Sequence, residues 1–310
     1  MIESPDYICD RPDMTDPLSQ MVGLLRPEPD IAKRVVAGGT WRVTRADAGR
    51  PFYGAILEGR CRLDVAGCAP IVLEAGDFIL VPAARAFAVS SLEPPPADAP
   101  TAHVETSPGL FQLGPEHAEP DIRMLVGHCA FASDAAGLLV SLLPHHVHVR
   151  GEPRLIALVE LVNDETRSDR PGREAILGRL LEVLLIEALR SAAGPSASAG
   201  LLRGLHDDHL AAALRCIHDR PAQAWTVAAL AREAALSRSA FFDRFQRAVG
   251  VAPMAYVTGW RMALAKAFLR REGITVAEAA GRVGYSSAST FSVAFTRHVG
   301  TPPALYARGA

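Results

Sequence analysis

The sequence predicts an α+β protein in two parts: an N-terminal β-barrel with packed helices, then an all-α domain of two helix-turn-helix units. Three observations carry this expectation. A pattern between Trp225 and Tyr306 is written twice, and the stretch from Ile31 to Ser91 breaks into short apolar segments separated by Gly and Pro. The third is an unequal division of charge along the chain.

In the repeat, Phe241, Phe245, Val249, Gly250, Pro253 and Tyr256 stand fifty residues before Phe291, Phe295, Val299, Gly300, Pro303 and Tyr306. Two copies at one offset make two like modules side by side. Each copy reads as helix, tight turn, helix. Thr226 caps a short helix with Val227, Leu230 and Ala231 on one face, and Ala234-Ala235-Leu236 makes the turn. Ser237 caps the second helix, which turns Phe241, Phe245 and Val249 inward and stops at Gly250. The second copy opens with Thr275 and Glu278 at capping-box spacing, turns through Gly284-Tyr285-Ser286 and runs from Ser287 to Gly300. Ala231 and Gly281 are expected at equivalent places, where crossing helices approach closely. The second helix of such a unit enters the major groove.

With the phenylalanines inward, the outward positions follow at about 100° per residue. They are Arg238, Ser239, Phe242, Asp243, Gln246 and Arg247 in the first copy. In the second they are Ala288, Ser289, Thr290, Val293, Thr296 and Arg297, with Ser287 at the helix start. Phe242 is not needed by the inward set and reads as a base-methyl contact. A connecting helix is expected from Tyr256 to Arg271, with Trp260, Leu264 and Phe268 on one face. Its length of roughly 24 Å suits two helices presented to successive major grooves, about 34 Å apart.

The run Leu230-Ala231-Arg232-Glu233-Ala234 to Ser237-Arg238-Ser239-Ala240-Phe241, with Phe245 and Gly250-Val251-Ala252-Pro253, resembles the first half of the AraC/XylS family's DNA-binding domain. Val283-Gly284-Tyr285-Ser286-Ser287, Phe291-Ser292, Ala294-Phe295 and Gly300-Thr301-Pro302-Pro303 resemble its second half. The resemblance implies binding to double-stranded promoter DNA and contact with RNA polymerase. One departure stands out: where that family often has Arg, this chain has Val293, which meets a thymine methyl better than a guanine edge.

Charge agrees with this division. Residues 201–310 hold 14 Lys and Arg against 7 Asp and Glu, whereas residues 1–200 hold 18 against 27. A basic segment on an acidic remainder suits nucleic-acid binding by the C-terminal part alone. At 310 residues, 49% hydrophobic and 21% charged, the chain is expected to form two globular domains. No apolar run reaches bilayer length, and the acidic start lacks the basic and apolar regions of a signal peptide. Five cysteines, an odd number without CxxC, fit a reduced cytoplasmic protein without membrane association.

The expected order is a tail over 1–16, a barrel over 17–150, a helical dimerisation segment over 151–193, a linker over 194–203 and the DNA-binding domain over 204–310. Pro17 to Leu25 reads as an amphipathic helix. Strands are expected at Trp41–Thr44, Gly54–Leu57, Cys61–Val65, Ile71–Leu73, Phe78–Val81, Phe87–Val89, Met124–Phe131 and Val147–Arg150. Glu93 to Pro100, with its prolines, reads as a loop. Glu74-Ala75-Gly76-Asp77-Phe78-Ile79-Leu80-Val81-Pro82 resembles the second motif of the cupin barrels. Metal-binding cupins place His after that Pro and on an earlier strand. Here Phe87 takes the later position and Phe52 to Ile56 carries no imidazole, so no metal or cofactor is implied. The resemblance is to cupin-type sensor domains, which implies an unknown small-molecule or redox effector.

Within the barrel, Trp41, Phe52, Tyr53, Phe78 and Phe87 either line an effector pocket or fill the core. Cys129 is either a buried thiol or, if exposed and acidified, a redox sensor. His145, His146 and His148 lack a Cys or carboxylate at ligand spacing and read as structural or surface residues before metal ligands. The helix expected over Arg173 to Ala192, with Ile176, Leu180, Val183, Leu184 and Leu189, is too apolar for one packed face. It predicts a homodimer, with a charge at Leu184 separating the copies. No nucleophile elbow, Walker loop, dinucleotide fingerprint or HExxH occurs. The reading is a transcription regulator, not an enzyme. Its rival is a cupin-derived metal-binding protein or enzyme carrying a DNA-binding tail.

Overall fold

A computed structural model describes residues 16–45, 50–83, 86–96, 103–133, 136–192 and 200–308. Residues 1–15 of the expected tail and 193–199 around the expected linker lie outside the described residues. Asp16 caps the first helix, its carboxylate accepting from the Leu18 and Ser19 N–H groups. The chain then runs α1 (Pro17–Leu25), β1 (Pro27–Ala37), β2 (Arg42–Arg45), β3 (Phe52–Glu58), β4 (Arg60–Val65), β5 (Ile71–Glu74) and β6 (Asp77–Val81). There follow β7 (Phe87–Ser90), β8 (His103–Ser107), β9 (Leu110–Leu113), β10 (Ile122–Phe131), α2 (Ala136–Val140), β11 (Val147–Arg150), α3 (Pro153–Thr166) and α4 (Arg173–Ser191).

Two sheets form the barrel, one in the order β11-β6-β3-β10-β1-β9-β8, the other β2-β7-β4-β5. Period-2 alternation gives the larger sheet two buried faces. Phe52, Ile56, Ile79, Val81 and Met124 face the smaller sheet and pack with Cys61, Leu63, Phe87 and Val89. Tyr53, Ala55, Phe78, Leu80 and Leu125 face the other way, onto α1, α3 and α4.

β1 is absent from the sequence reading because Pro27, Glu28, Pro29 and Asp30 resemble a loop. It pairs with β10 from Pro27 onward but with β9 only from Arg34, so both prolines lie where one side of the ladder is open. β8 is missed for another reason: all five residues are exposed at the sheet edge, so no alternation marks it.

The C-terminal part holds α5 (Leu201–His206), α6 (Asp208–Asp219), α7 (Val227–Glu233), α8 (Arg238–Val249) and α9 (Pro253–Ala267), which continues as a π-helical turn over Phe268–Glu272. α10 (Val276–Arg282), α11 (Ala288–Val299) and α12 (Pro303–Arg308) complete it. The linker expectation fails at its C-terminal end, because Leu201 and Leu202 are buried in α5. The backbone there is held from both sides. The Gly200 N–H donates to the Ala248 carbonyl at the end of α8, and the Leu201 N–H to Leu142 beside the barrel.

The four expected caps are present: Thr226, Ser237, Thr275 and Ser287 each accept from the N–H three residues on. The offset, however, is not constant. Second helices are capped fifty residues apart, but Thr226 and Thr275 only forty-nine, because the second turn is one residue longer. The counterpart of Ala231 is therefore the buried Ala280, and Gly281 is exposed with open space beside it. Gly284 is the turn residue that needs glycine: its φ is 82°, and a Cβ would collide with the Ala222 carbonyl.

α9 joins two separate cores. Tyr256, Val257, Trp260 and Ala263 pack with Phe241 and Phe245, whereas Met262, Ala265 and the following Leu269 pack with Phe291, Phe295 and Tyr306. Its fifteen α-helical residues give a spacer of about 22 Å. One helix thus fixes the mutual placement of the two helix-turn-helix units.

Candidate DNA interface and effector cavity

The inward phenylalanines decide what α8 and α11 show to solvent. Phe241, Phe245, Phe291 and Phe295 are fully buried, and each pair stacks obliquely with centroids about 5.5 Å apart. Arg238, Ser239, Phe242, Asp243, Gln246 and Arg247 are all exposed along α8. Phe242, 36% exposed, has no place in the core and leaves an aromatic edge on a polar face. On α11, Ser289, Thr290, Val293 and Arg297 are exposed, while Ala288 and Thr296 are half-buried. Val293 is 71% exposed, so no packing requirement explains an apolar side chain there.

Ser289, Thr290, Val293 and Arg297 border an open depression that also takes in Thr258 of α9 and His298. The sequence reading missed these last two, since neither lies on the outward stripe of its helix. Burial, then the nearby Lys266 charge, pushes the His298 pKa below its ordinary value, favouring a neutral imidazole at this edge. Hydroxyls cluster where α11 begins: Ser287 Oγ lies 3.1 Å from Ser289 Oγ and 2.8 Å from Thr290 Oγ1. Free N–H groups at such a helix start suit phosphate.

A cavity of about 390 Å³ lies between the two sheets of the barrel. Trp41, Phe52 and Phe87 line it, with Phe111, Met124 and Val126. Tyr53 and Phe78 do not. They stand on the opposite face of the larger sheet, where Tyr53 lies over Gly127, its partner across the β3–β10 ladder. Adjacent strand residues point to opposite faces, so Phe52 and Tyr53 cannot both face one cavity. The basic lining residues Lys33, Arg42, Arg45, His103 and His128 were absent from the sequence reading because they come from four separate strands.

Cys129 is fully buried, and burial pushes its thiol up to about 12, so it is not the exposed, acidified thiol a redox sensor needs. The histidines separate. His148 Nε2 lies 2.8 Å from the buried Asp77 carboxylate, while His145 Nδ1 lies 3.7 Å from Cys68 Sγ. Among the described residues no group of three His, Cys, Asp or Glu side chains converges as metal ligands.

The barrel and the first recognition unit share one core, and a polar relay crosses it. His218 of α6, 3% exposed, donates from Nδ1 to Gln20 Oε1 of α1 at 3.0 Å. Its Nε2 accepts from the Tyr256 hydroxyl of α9 at 2.7 Å, and the imidazole stacks on Trp260 with centroids 3.9 Å apart. Burial, offset only in part by Asp16, lowers its pKa to about 3 and keeps it neutral.

A barrel sharing its core with the first of two helix-turn-helix units defines the class of DNA-binding regulators with an N-terminal barrel domain. Residues 16–194 match the cupin family and residues 230–309 a helix-turn-helix domain family. Residues 210–247, which cover α6 to α8, also match the tetR family of bacterial regulatory proteins. The chain is 37% identical over 300 residues to a protein of Streptomyces lividans named as an AraC-like transcription regulator, covering 94% of this chain and 97% of that one. A protein of Streptomyces antibioticus with the same description is 36% identical over 300 residues, covering 94% and 98%. Among solved structures, the DNA-binding domain of AdpA in complex with a target DNA is 29% identical, with a TM-score of 0.31, covering 33% of this chain and 92% of that one. The chain belongs to the AraC-like transcription regulators, with a cupin domain at its N-terminus.

Proposed function

We propose that α8 and α11 both dock on promoter duplex, that α8 supplies most of the base readout, and that the barrel cavity takes the effector. The observation that carries this is the pairing of two capped helices over separate phenylalanine cores, each with an exposed outer face: Arg238, Ser239, Phe242, Asp243, Gln246 and Arg247 on one, Ser289, Thr290, Val293 and Arg297 on the other. Arg238 offers a fork for guanine, Phe242 a surface for a thymine methyl and Asp243 an acceptor for cytosine. Arg247 and Arg297 occupy equivalent flanking positions suited to phosphates.

The protein works in this reading as a cytoplasmic homodimer and as an activator that engages RNA polymerase, the last two carried over from its family. Exposed apolar residues on the expected helix support the dimer reading, although Leu184 is not among them. Leu184 is 1% exposed in the protein's own core, so a charge there would disrupt the fold and not merely separate copies. The outward apolar residues are Ile176 and Val183, 45% and 40% exposed two helical turns apart, with the half-buried Leu180 between them packed on the core.

Salt-dependent binding tests the DNA assignment. Arg247→Ala should weaken binding to all duplexes and reduce the slope of log K against log salt by about one unit. Arg238→Ala should instead relax base preference at one position. A changed base preference in Arg247→Ala, with affinity intact, would contradict the phosphate assignment.

A further inference from the structure

The two helix-turn-helix units have separate cores, and α9, which spans them, passes into a π-helical turn, a place where helices bend. A second contact braces them. Arg261 stands between Trp260, which packs into the first core, and Met262, which packs into the second. Its Nε donates to the Pro221 carbonyl at 2.8 Å, and a terminal guanidinium nitrogen donates to the Gln223 carbonyl at 2.6 Å. Both carbonyls belong to the loop between α6 and α7, in the first unit. That loop is itself pinned. The Gln223 N–H and the Trp225 indole N–H both donate to the Arg220 carbonyl, and Trp225 is buried in the first core. Hydrogen bonds from a charged donor are roughly twice as strong as neutral ones, and two from one planar fork fix an orientation as well as a distance.

Ala222, between the two accepting residues, meets the second unit. Its backbone lies against Gly284 in the turn from α10 to α11, where a Cβ would collide with it. The equivalent turn residue of the first unit is Ala235, at φ 50°. The turn itself therefore tolerates a methyl group, and the obstacle particular to Gly284 is the neighbouring unit. Tyr285, the next residue, lies within electrostatic reach of Arg261 and packs edge-on against Phe291 of the second core. The first unit's loop, the middle of α9 and the second unit's turn thus meet at one place.

The geometry points to Arg261 as a positioning residue that, with the Ala222–Gly284 contact, holds α8 and α11 at one separation and so makes half-site spacing part of the operator's specificity. This rests on the reading that α8 and α11 both dock on the duplex. One added base pair moves a half-site roughly 3.4 Å along the duplex and about 35° around it. Two units braced at a second place cannot follow that displacement, whereas two joined by α9 alone can bend toward it.

The wild-type full chain is first used to select its preferred duplex from a randomised pool, and footprinting locates the two half-sites. Duplexes with one base pair added or removed between the half-sites, and one keeping only the half-site under α8, are then titrated by fluorescence anisotropy. Wild type should bind the respaced duplexes about ten-fold more weakly than the selected one. Arg261→Met should bind all three spacings within about three-fold of one another, and the single half-site within about two-fold of wild type, which a misfolded protein would not do. Arg261→Lys, which keeps a charged donor but not the fork, should fall between the two. A spacing penalty that persists in full in Arg261→Met overturns the proposal. So does a comparable loss of that variant's affinity for the single half-site, which marks a merely structural role. A wild type indifferent to spacing on a duplex it protects at two half-sites also overturns it and leaves two-helix docking standing. A wild type that selects no duplex, or that binds the single half-site as tightly as the full one, overturns the docking reading and the proposal together.

Discussion

Ala235 stands at φ 50° in the turn of the first helix-turn-helix, at the place where the second copy has Gly284 at φ 82°. A left-handed alanine costs roughly 1 kcal/mol relative to glycine, because its Cβ crowds the following carbonyl. Ala235→Gly is therefore expected to stabilise the protein by about 0.5 kcal/mol, after the entropy of the unfolded glycine is counted. Thermal denaturation checks this, and a clear loss of stability would show that the methyl group makes a contact outweighing the strain. Single residues also mark where the sequence was hardest to read. The outward face of α8 was fully legible, since the period of 3.6 and the spacing of Phe241 and Phe245 leave little freedom. The cavity was half legible. Trp41, Phe52 and Phe87 belong to it, whereas Tyr53 and Phe78 were assigned by aromatic character without regard to the parity of their strands. Its basic groups come from segments too distant in sequence for any spacing rule to gather.

At the scale of elements, α4 and the α1–α6–α9 junction give opposite lessons. The apolar excess of α4 was visible in the sequence, but which residues it left unpartnered was not. α4 packs against α3, β1 and α1, and together these cover Leu177, Leu181, Leu184 and Leu185. Val183→Lys should shift the protein to monomers at micromolar concentration in sedimentation with its circular dichroism unchanged, whereas Leu184→Asp should lose the folded spectrum. A dimer that survives Val183→Lys together with Ile176→Lys would place the interface elsewhere. The junction was not legible, because Gln20 and His218 lie nearly two hundred residues apart. Its consequence is a pH dependence with a definite sign. His218 has a lowered pKa in the folded protein and an ordinary one, about 6.5, when released. The released state therefore binds more protons between about pH 6.5 and 3, and stability falls as pH falls through that window, by up to about 1.4 kcal/mol per unit. Melting temperature should drop between pH 7.5 and 5. His218→Phe, which retains an aromatic ring beside Trp260 but cannot ionise, should flatten that slope. Equal slopes for both proteins would remove His218 as the group responsible.

For the molecule as a whole, the offset of forty-nine in one helix and fifty in the other separates duplicated modules from identical ones. α9 ties both to one frame, so under the proposed function the two helices would meet the duplex together although their surfaces differ. α8 presents a guanidinium, a carboxylate and an aromatic edge; α11 presents Ala288, Ser289, Thr290 and Val293, none able to make a bidentate contact with a base. A bidentate pair discriminates by about 1–3 kcal/mol, so the first half should carry most of the specificity and the second should position the complex. The direct measurement is a base-by-base substitution scan of an operator, read as binding affinity for the wild type and for Val293→Arg. A half-site where single substitutions cost about 1–3 kcal/mol should lie under α8, and a permissive one under α11. Val293→Arg should create a new preference, for guanine, at one position of the permissive half. Equal constraint in both halves for the wild type, with no new preference in the variant, would contradict the division of labour between the two helices.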